Sequence, residues 1–245
     1  MRTLISVLTI LSFILGSVPC YAKKLQLISG NWAPYVSANP AEPGITTEIV
    51  LAAFKAVGIE TALEFYPWPR CEKMIQHNMD VVTFPYVKTH ERKKFAVFSV
   101  PMITEKTYLY YSKQNMHKYD FSGYKDLRKY RIGTLNGFVH YELFKRNGVP
   151  ATVIKNNTTA LQMLLRNRIQ LFPINNLVAK REIQNNFPDQ ANEFSHTKTP
   201  MYEVTLHLMI SKNNPEANYI LSNFAEGMSI IRREGTFDQI IEKYY

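Results

Sequence analysis

The chain has 245 residues and a formal net charge of +9, with 46% hydrophobic and 20% charged residues. That balance excludes an intrinsically disordered or collagen-like polypeptide and is ample for a packed core. The charge is uneven: residues 113–205 carry 14 Lys and Arg against 7 Asp and Glu, which suits an anionic ligand, an acidic partner or membrane headgroups, and equally a plain solvated face.

Arg2, the apolar run Leu4 to Gly16 and the small-residue stretch Cys20-Tyr21-Ala22 form the pattern of a cleavable secretion signal over residues 1–22. The run is shorter than the roughly 20 residues a transmembrane helix needs, which argues against a retained anchor. Pro19 directly before Cys20 argues against lipidation. The mature chain is therefore expected to be soluble and to work outside the cytoplasm, which disfavours nucleic acid as a partner. Cleavage would leave Cys71 alone, so no intramolecular disulfide is expected, and the sequence offers no zinc-ligand spacing. No metal or other cofactor is expected.

Lys24 to Ser29 alternates like a short strand and breaks at Gly30-Asn31-Trp32-Ala33-Pro34-Tyr35. A helix is predicted from Ile45 to Val57 between Gly44 and Gly58, then a strand over Thr61 to Tyr66 closed by Pro67-Trp68-Pro69. A short helix reaching about Asn78 and a strand over Val81 to Phe84 follow. This alternation predicts an α/β domain with a largely parallel sheet. The pattern restarts with a strand over Tyr130 to Thr134, a turn at Asn136-Gly137 and a helix over Phe138 to Arg146. Next come a strand over Thr152 to Ile154, a helix capped by Thr158 and a strand over Leu171 to Ile174. Val204 to Ser211 is β-like, and Pro215 to the end is helical with a break at Gly235. Two units of similar size suggest two lobes, and the amphipathic tail is of a kind that can return to the first.

The segment Asp80 to Pro101 contains Asp80, a short apolar strand, Thr89-x-x-Arg92 and then Phe98-Ser99 and Pro101. With Trp32-x-Pro34-Tyr35, Gly44-Ile45 before Glu48, Arg131-Ile132-Gly133 before Asn136-Gly137, and the terminal Gly235 to Tyr244, it resembles the periplasmic solute-binding proteins of the polar amino-acid type. These are the bilobed family 3 receptors of ABC importers. The resemblance implies a type II fold: two α/β lobes joined by two crossover strands, with a ligand in the cleft. The crossings would lie near Tyr108–Lys113 and Thr205–Ser211. Lobe one would span 23–110 and 208–245, and lobe two 111–207. It also implies a monomer serving an inner-membrane permease or a sensor domain.

Arg92 offers a planar fork of donors that suits a carboxylate, and in the family the matching Arg clamps one; otherwise it is a surface residue in a charged run. Gly137 and Phe138 lie where a helix follows a tight turn, a natural anion site, although Gly137 also fits as a simple positive-φ residue. Trp32 and Phe84 match positions that pack on the ligand side chain. Tyr35, Tyr86 and Trp68 are further aromatics of the loops, a residue type that more often builds core. Arg70, in Pro67-Trp68-Pro69-Arg70, is a second anion contact or a salt-bridge partner. The departures are Ser29, Pro85, Val87 and Asn175. The last stands where amino-acid binders place the carboxylate that meets the ligand ammonium, and a buried ammonium without an anion is costly. An amine-free carboxylate, or a cyclic or aromatic compound, is therefore expected in place of an ordinary α-amino acid. A dehydratase-like enzyme on the same fold is the competing class, with Glu48, His140, Glu142, Glu203 and His207 as conceivable acid–base groups. No pair of them has a recognisable spacing, and no catalytic residue is assigned.

Overall fold

The structure, a computed structural model, describes residues 24–136 and 138–244; the expected signal over 1–22 and Gly137 lie outside them. In chain order the first elements are β1 (Leu25–Ser29), α1 (Ile45–Ala56), β2 (Thr61–Phe65), α2 (Trp68–Gln76), β3 (Val82–Val87), α3 (His90–Lys93), β4 (Ala96–Phe98) and β5 (Ile103–Ser112). The middle of the chain supplies α4 (Tyr124–Leu127), β6 (Ile132–Leu135), α5 (Val139–Arg146), β7 (Ala151–Ile154), α6 (Asn157–Leu165), β8 (Phe172–Asn175) and α7 (Asn176–Asn186). A 3-10 turn (Pro188–Glu193), β9 (Phe194–His196), β10 (Tyr202–Ser211), α8 (Ala217–Arg233) and α9 (Thr236–Tyr244) complete it.

Strands β1, β2 and β3 pair in parallel, as do β6 and β7. The rest of the sheet departs from the parallel expectation. The ten-residue strands β5 and β10 run antiparallel to each other; β10 also pairs antiparallel with β3 and β4, and β5 with β8 and β9. In the sheet β10 lies between β3 and β5, and β5 between β10 and β8, so each long strand meets partners on both of its edges. Among the described residues the strand order is β2-β1-β3-β10-β5-β8, with β6-β7 as a separate pair.

Helix α1 buries Ile45, Ile49, Val50, Ala53 and Phe54, the three-and-four spacing of a face turned to the core. The tail helix α8 returns to it with Ile220, Phe224, Met228 and Ile231 buried. The rings of Phe54 and Phe224 lie 5.3 Å apart, and both are fully buried, each worth about 1.5–3 kcal/mol of hydrophobic stabilisation. Gly227 permits the approach: a Cβ there would lie 2.0 Å from the Ala53 carbonyl oxygen. Separate apolar clusters lie beneath α2 (Ile28, Cys71, Ile75, Met209) and around β6 and α5 (Ile132, Phe144, Leu171). Helix α6 is capped by Asn156, whose Oδ1 accepts from the Thr159 N–H at 2.8 Å, and not by Thr158; Thr158 instead donates to Glu182 at 2.7 Å.

Candidate functional site

A cavity of about 730 Å³ opens between the β1–α3 region and the β6–α7 region, with β5 and β10 at its floor. Its size is that of a small-molecule site. Trp32, Trp68, Arg92, Phe138 and Asn175 line it, together with Tyr86. The remaining described candidates stand elsewhere. Tyr35 is fully buried behind Trp32, its ring stacked at 4.3 Å. Phe84 is fully buried, and its carbonyl accepts from the Ser29 hydroxyl. Arg70 is exposed and lies over the Tyr66 ring at 4.3 Å.

Arg92 is placed by local sequence. Thr89 caps the turn of α3, its Oγ1 accepting from the Arg92 N–H at 3.3 Å, so Thr-x-x-Arg holds the Arg backbone at a fixed point after β3. The guanidinium then lies 4.7 Å from the Tyr86 ring centroid. Its Nε and Nη2 donate to Glu72 Oε2 at 3.2 Å each, and Nη1 donates to the Val87 carbonyl at 3.1 Å. A guanidinium has five N–H groups. These bonds use three, leaving one N–H on each Nη for a ligand. Tyr86 in turn donates to the Trp68 carbonyl at 3.3 Å and meets the indole edge-on at 5.6 Å. The indole covers Gly30, where a Cβ would lie 2.3 Å from Trp68 Cε2.

Asn175 has no free hydrogen-bonding group to offer a ligand. Its Oδ1 caps α7, accepting from the Leu177 and Val178 N–H groups at 2.9 and 3.1 Å. Its Nδ2 donates to Glu105 Oε1 at 2.8 Å and to the Lys106 carbonyl at 3.3 Å. The premise that no carboxylate stands in this region therefore fails: Glu105 reaches it from β5. Its side chain shares the inward face with Ile103 and Thr107, because alternate residues of a strand point the same way. Burial pushes its carboxyl pKa up, and the Thr107 and Asn175 hydrogen bonds offset part of that.

Phe138 is 44% exposed at the cavity mouth, directly before α5, and stacks on His140 at 5.3 Å. His140 lines the cavity, and its Nδ1 is 2.8 Å from Thr134 Oγ1. Burial lowers its pKa to about 4, so the ring is neutral at ordinary pH. The other conceivable acid–base groups are scattered. Glu48 accepts from Lys243 and Tyr244 at 2.6 Å, Glu203 pairs with Lys106 at 3.3 Å, and Glu142 is exposed. His207 hydrogen-bonds the Ser99 carbonyl at 2.8 Å and does not line the cavity.

Sequence reasoning missed Glu72, Glu105, Thr107, Glu182 and Tyr202, all on the cavity wall. Glu72 had a signal, since it lies four residues after Trp68 on a predicted helix and so on the same face. Glu105 had none beyond strand alternation. The positive excess of residues 113–205 is also absent from the wall: among the described residues its charged lining groups are Glu72, Lys73, Arg92, Glu105 and Glu182.

The model of the bacterial extracellular solute-binding proteins, family 3, matches residues 27–245. Among curated proteins none matches this chain in sequence. Several solved structures are similar. A histidine kinase sensor domain with similarity to periplasmic binding proteins is 14% identical at a TM-score of 0.71, covering 90% of this chain and 95% of that one. The second substrate-binding domain of a putative amino acid ABC transporter from Streptococcus pneumoniae is 19% identical at 0.70, covering 91% and 99%. The arginine-, lysine-, histidine-binding protein ArtJ from Geobacillus stearothermophilus is 19% identical at 0.67, covering 91% and 95%. The shared fold is that of the type II periplasmic binding proteins, as expected. Among the described residues no helix is long and apolar enough to cross a membrane.

Proposed function

The chain belongs to the bacterial extracellular solute-binding proteins, family 3, and from that membership we propose that it captures a small carboxylate-bearing solute for ABC-type uptake. The cleft lies between a lobe of residues 23–110 with 208–245 and a lobe of residues 111–207, crossed by β5 and β10. The protein acts as a periplasmic monomer after removal of residues 1–22 and delivers its cargo to an inner-membrane permease. The observation that carries this reading is Arg92, braced by Glu72, Val87 and Tyr86 with one N–H on each Nη unused, in a cavity of about 730 Å³. Two such N–H groups on one planar cation fit the two oxygens of a carboxylate. Trp32, Trp68 and Phe138 supply apolar wall on either side. Ligand meets one lobe first, and closure is driven by its greater affinity for the closed form.

Binding is favoured over catalysis because, of the five conceivable acid–base residues, only His140 lines the cavity, and a ring held neutral to about pH 4 beside Thr134 has no paired acid. A sensing role is the second reading, favoured by the likeness to a histidine kinase sensor domain; it uses the same cleft. Calorimetric titration with a panel of small carboxylates and their amides tests the proposal. An acid that binds where its amide does not supports it, and equal affinity for acid and amide refutes the carboxylate assignment. Native mass spectrometry of protein purified from its own host reads the cargo mass directly.

A further inference from the structure

Strands β6, β7 and β8 run the same way. Ile132 stands opposite Ala151 and Leu171, each in parallel pairing, and β8 follows directly on Leu171. The entries of the three strands therefore lie side by side. Their exits face the cavity, whose wall includes Phe138 after β6, Asn157 after β7 and Asn175 at the end of β8. Helices α5 and α6 run back from exit to entry, so their last turns end at the pole away from the cavity. The positive excess of residues 113–205 collects there. Lys125 in α4, Arg128 just after it, Arg131 at the entry of β6, Lys145 and Arg146 in the last turn of α5, and Arg168 after α6 are all exposed.

Neutral groups hold two of these side chains in place. Arg128 Nη2 donates to the Asn147 carbonyl at 2.8 Å, beyond the end of α5. Arg131 Nη2 donates to the Asn167 carbonyl and Oδ1 at 3.0 and 2.9 Å, and Nε to the Arg168 carbonyl at 3.4 Å. Such bonds fix a guanidinium without cancelling its charge. Among the described residues none of the six cations has a carboxylate at ion-pair distance. Asp126 is matched by Lys129 at 2.6 Å, Glu142 stands in the first turn of α5, and Arg166 borders a separate hollow with Glu193. The dipole of α5 favours cations in its last turn, which accounts for Lys145 and Arg146 and not for the other four. Like charges gathered without acids repel one another, and an anionic surface laid against them relieves that repulsion. Arginines predominate, and their planar fork suits phosphate oxygens. Tyr130 lies among them, half-buried beneath the Lys129 ammonium at 5.3 Å, a side chain suited to the headgroup level of a bilayer.

We propose that this pole is a docking surface for a bilayer carrying anionic phospholipid, its Arg and Lys side chains meeting headgroup phosphates while the cavity at the opposite end stays open to solvent. The assignment does not depend on what fills the cavity.

Co-sedimentation of the purified protein with vesicles tests it, using phosphatidylcholine alone and phosphatidylcholine mixed with phosphatidylglycerol. The protein is expected to sediment with the mixed vesicles only, and less as salt rises. A cation near an anionic surface contributes roughly fivefold in partitioning, so Lys145→Gln with Arg146→Gln should weaken binding about 25-fold. Neither side chain makes an ion pair among the described residues, so the fold should persist. Lys55→Gln with Arg233→Gln makes the same change in net charge at two exposed positions outside residues 113–205 and should leave binding within about twofold. An equal loss in both double variants overturns the proposal, because net charge alone would then govern binding. Equal binding to neutral vesicles overturns it, as does no binding to mixed vesicles at low salt. Retention on immobilised polyglutamate without any vesicle binding also overturns it, in favour of an acidic protein partner.

Discussion

Replacing Arg92 by Ala removes both the fork that would hold a carboxylate and the partner that neutralises Glu72. The two unused N–H groups of the guanidinium each make a charge-assisted hydrogen bond to a carboxylate, worth about 1.5–3 kcal/mol net. The lower figure suits a side chain 27% exposed to water, so the pair contributes about 3 kcal/mol, or roughly a hundredfold in affinity. The substitution also strips Glu72 of its partner and leaves that carboxylate facing the incoming anion. Arg92→Lys keeps the charge but loses the fork and the plane against Tyr86, so it should fall between the two. In the Arg92→Ala background, Glu72→Gln removes the repulsion without restoring the fork and should recover up to about tenfold, the ~1 kcal/mol of a partly exposed charge pair. Isothermal titration with the tightest acid of the panel, on variants whose melting stays cooperative, gives all four affinities. A folded Arg92→Ala protein whose affinity stays within about twofold of the unaltered chain would falsify the carboxylate role, because no arrangement of the remaining groups supplies that fork.

Four further outcomes follow from the packing and the titrating groups. The Glu105 carboxyl is raised in the folded chain by burial, so folding is penalised as pH rises through that raised value and favoured below the ordinary glutamate range. Glu105→Gln should therefore gain stability relative to the unaltered protein on going from pH 4 to pH 8 in thermal melts. His140, with its pKa lowered from 6.5 to about 4, contributes stability that is complete above its unfolded pKa and is lost as pH falls from about 6.5 to 4, by about 3 kcal/mol in total. Denaturant titrations of His140→Phe should show that part of the acid sensitivity removed. Gly227→Ala drives a methyl to 2.0 Å from a backbone oxygen of α1; overpacking of about 3 kcal/mol against roughly 1 kcal/mol of helix propensity predicts a net loss of about 2 kcal/mol in urea unfolding. Gly30→Ala must displace the Trp68 indole from the wall, so the tightest probe should weaken several-fold with its enthalpy changed, whereas an unmoved affinity would show that Trp68 does not touch it.

Most of the secondary structure was legible because it rests on neighbours in sequence. The apolar spacing from Ile45 to Ala56, the strand between Thr61 and Phe65 and the break at Gly235 appear where periodicity and glycine place them. Arg92 was legible for the same reason, since Thr89 fixes it across a single turn. Elements whose partners are remote were not. Strands β4 and β9 are three residues each and exist through their pairing with β10 and β5. The antiparallel course of the long strands follows from pairing between residues about a hundred positions apart.

The sequence by itself determined the α/β alternation, the family motif around Arg92 and the aromatic residues near the cleft, because each depends on contacts within a turn or a strand. Only the tertiary structure decided which of those residues reach the cleft. Tyr35 and Phe84 are drawn into the core behind it, and Asn175 spends its amide on α7 and Glu105. The same is true of Glu105, which meets Asn175 across 70 positions of chain. A strand's alternation says that its carboxylate shares a face with Ile103 and Thr107, but what that face looks upon is set by the strands that close over it.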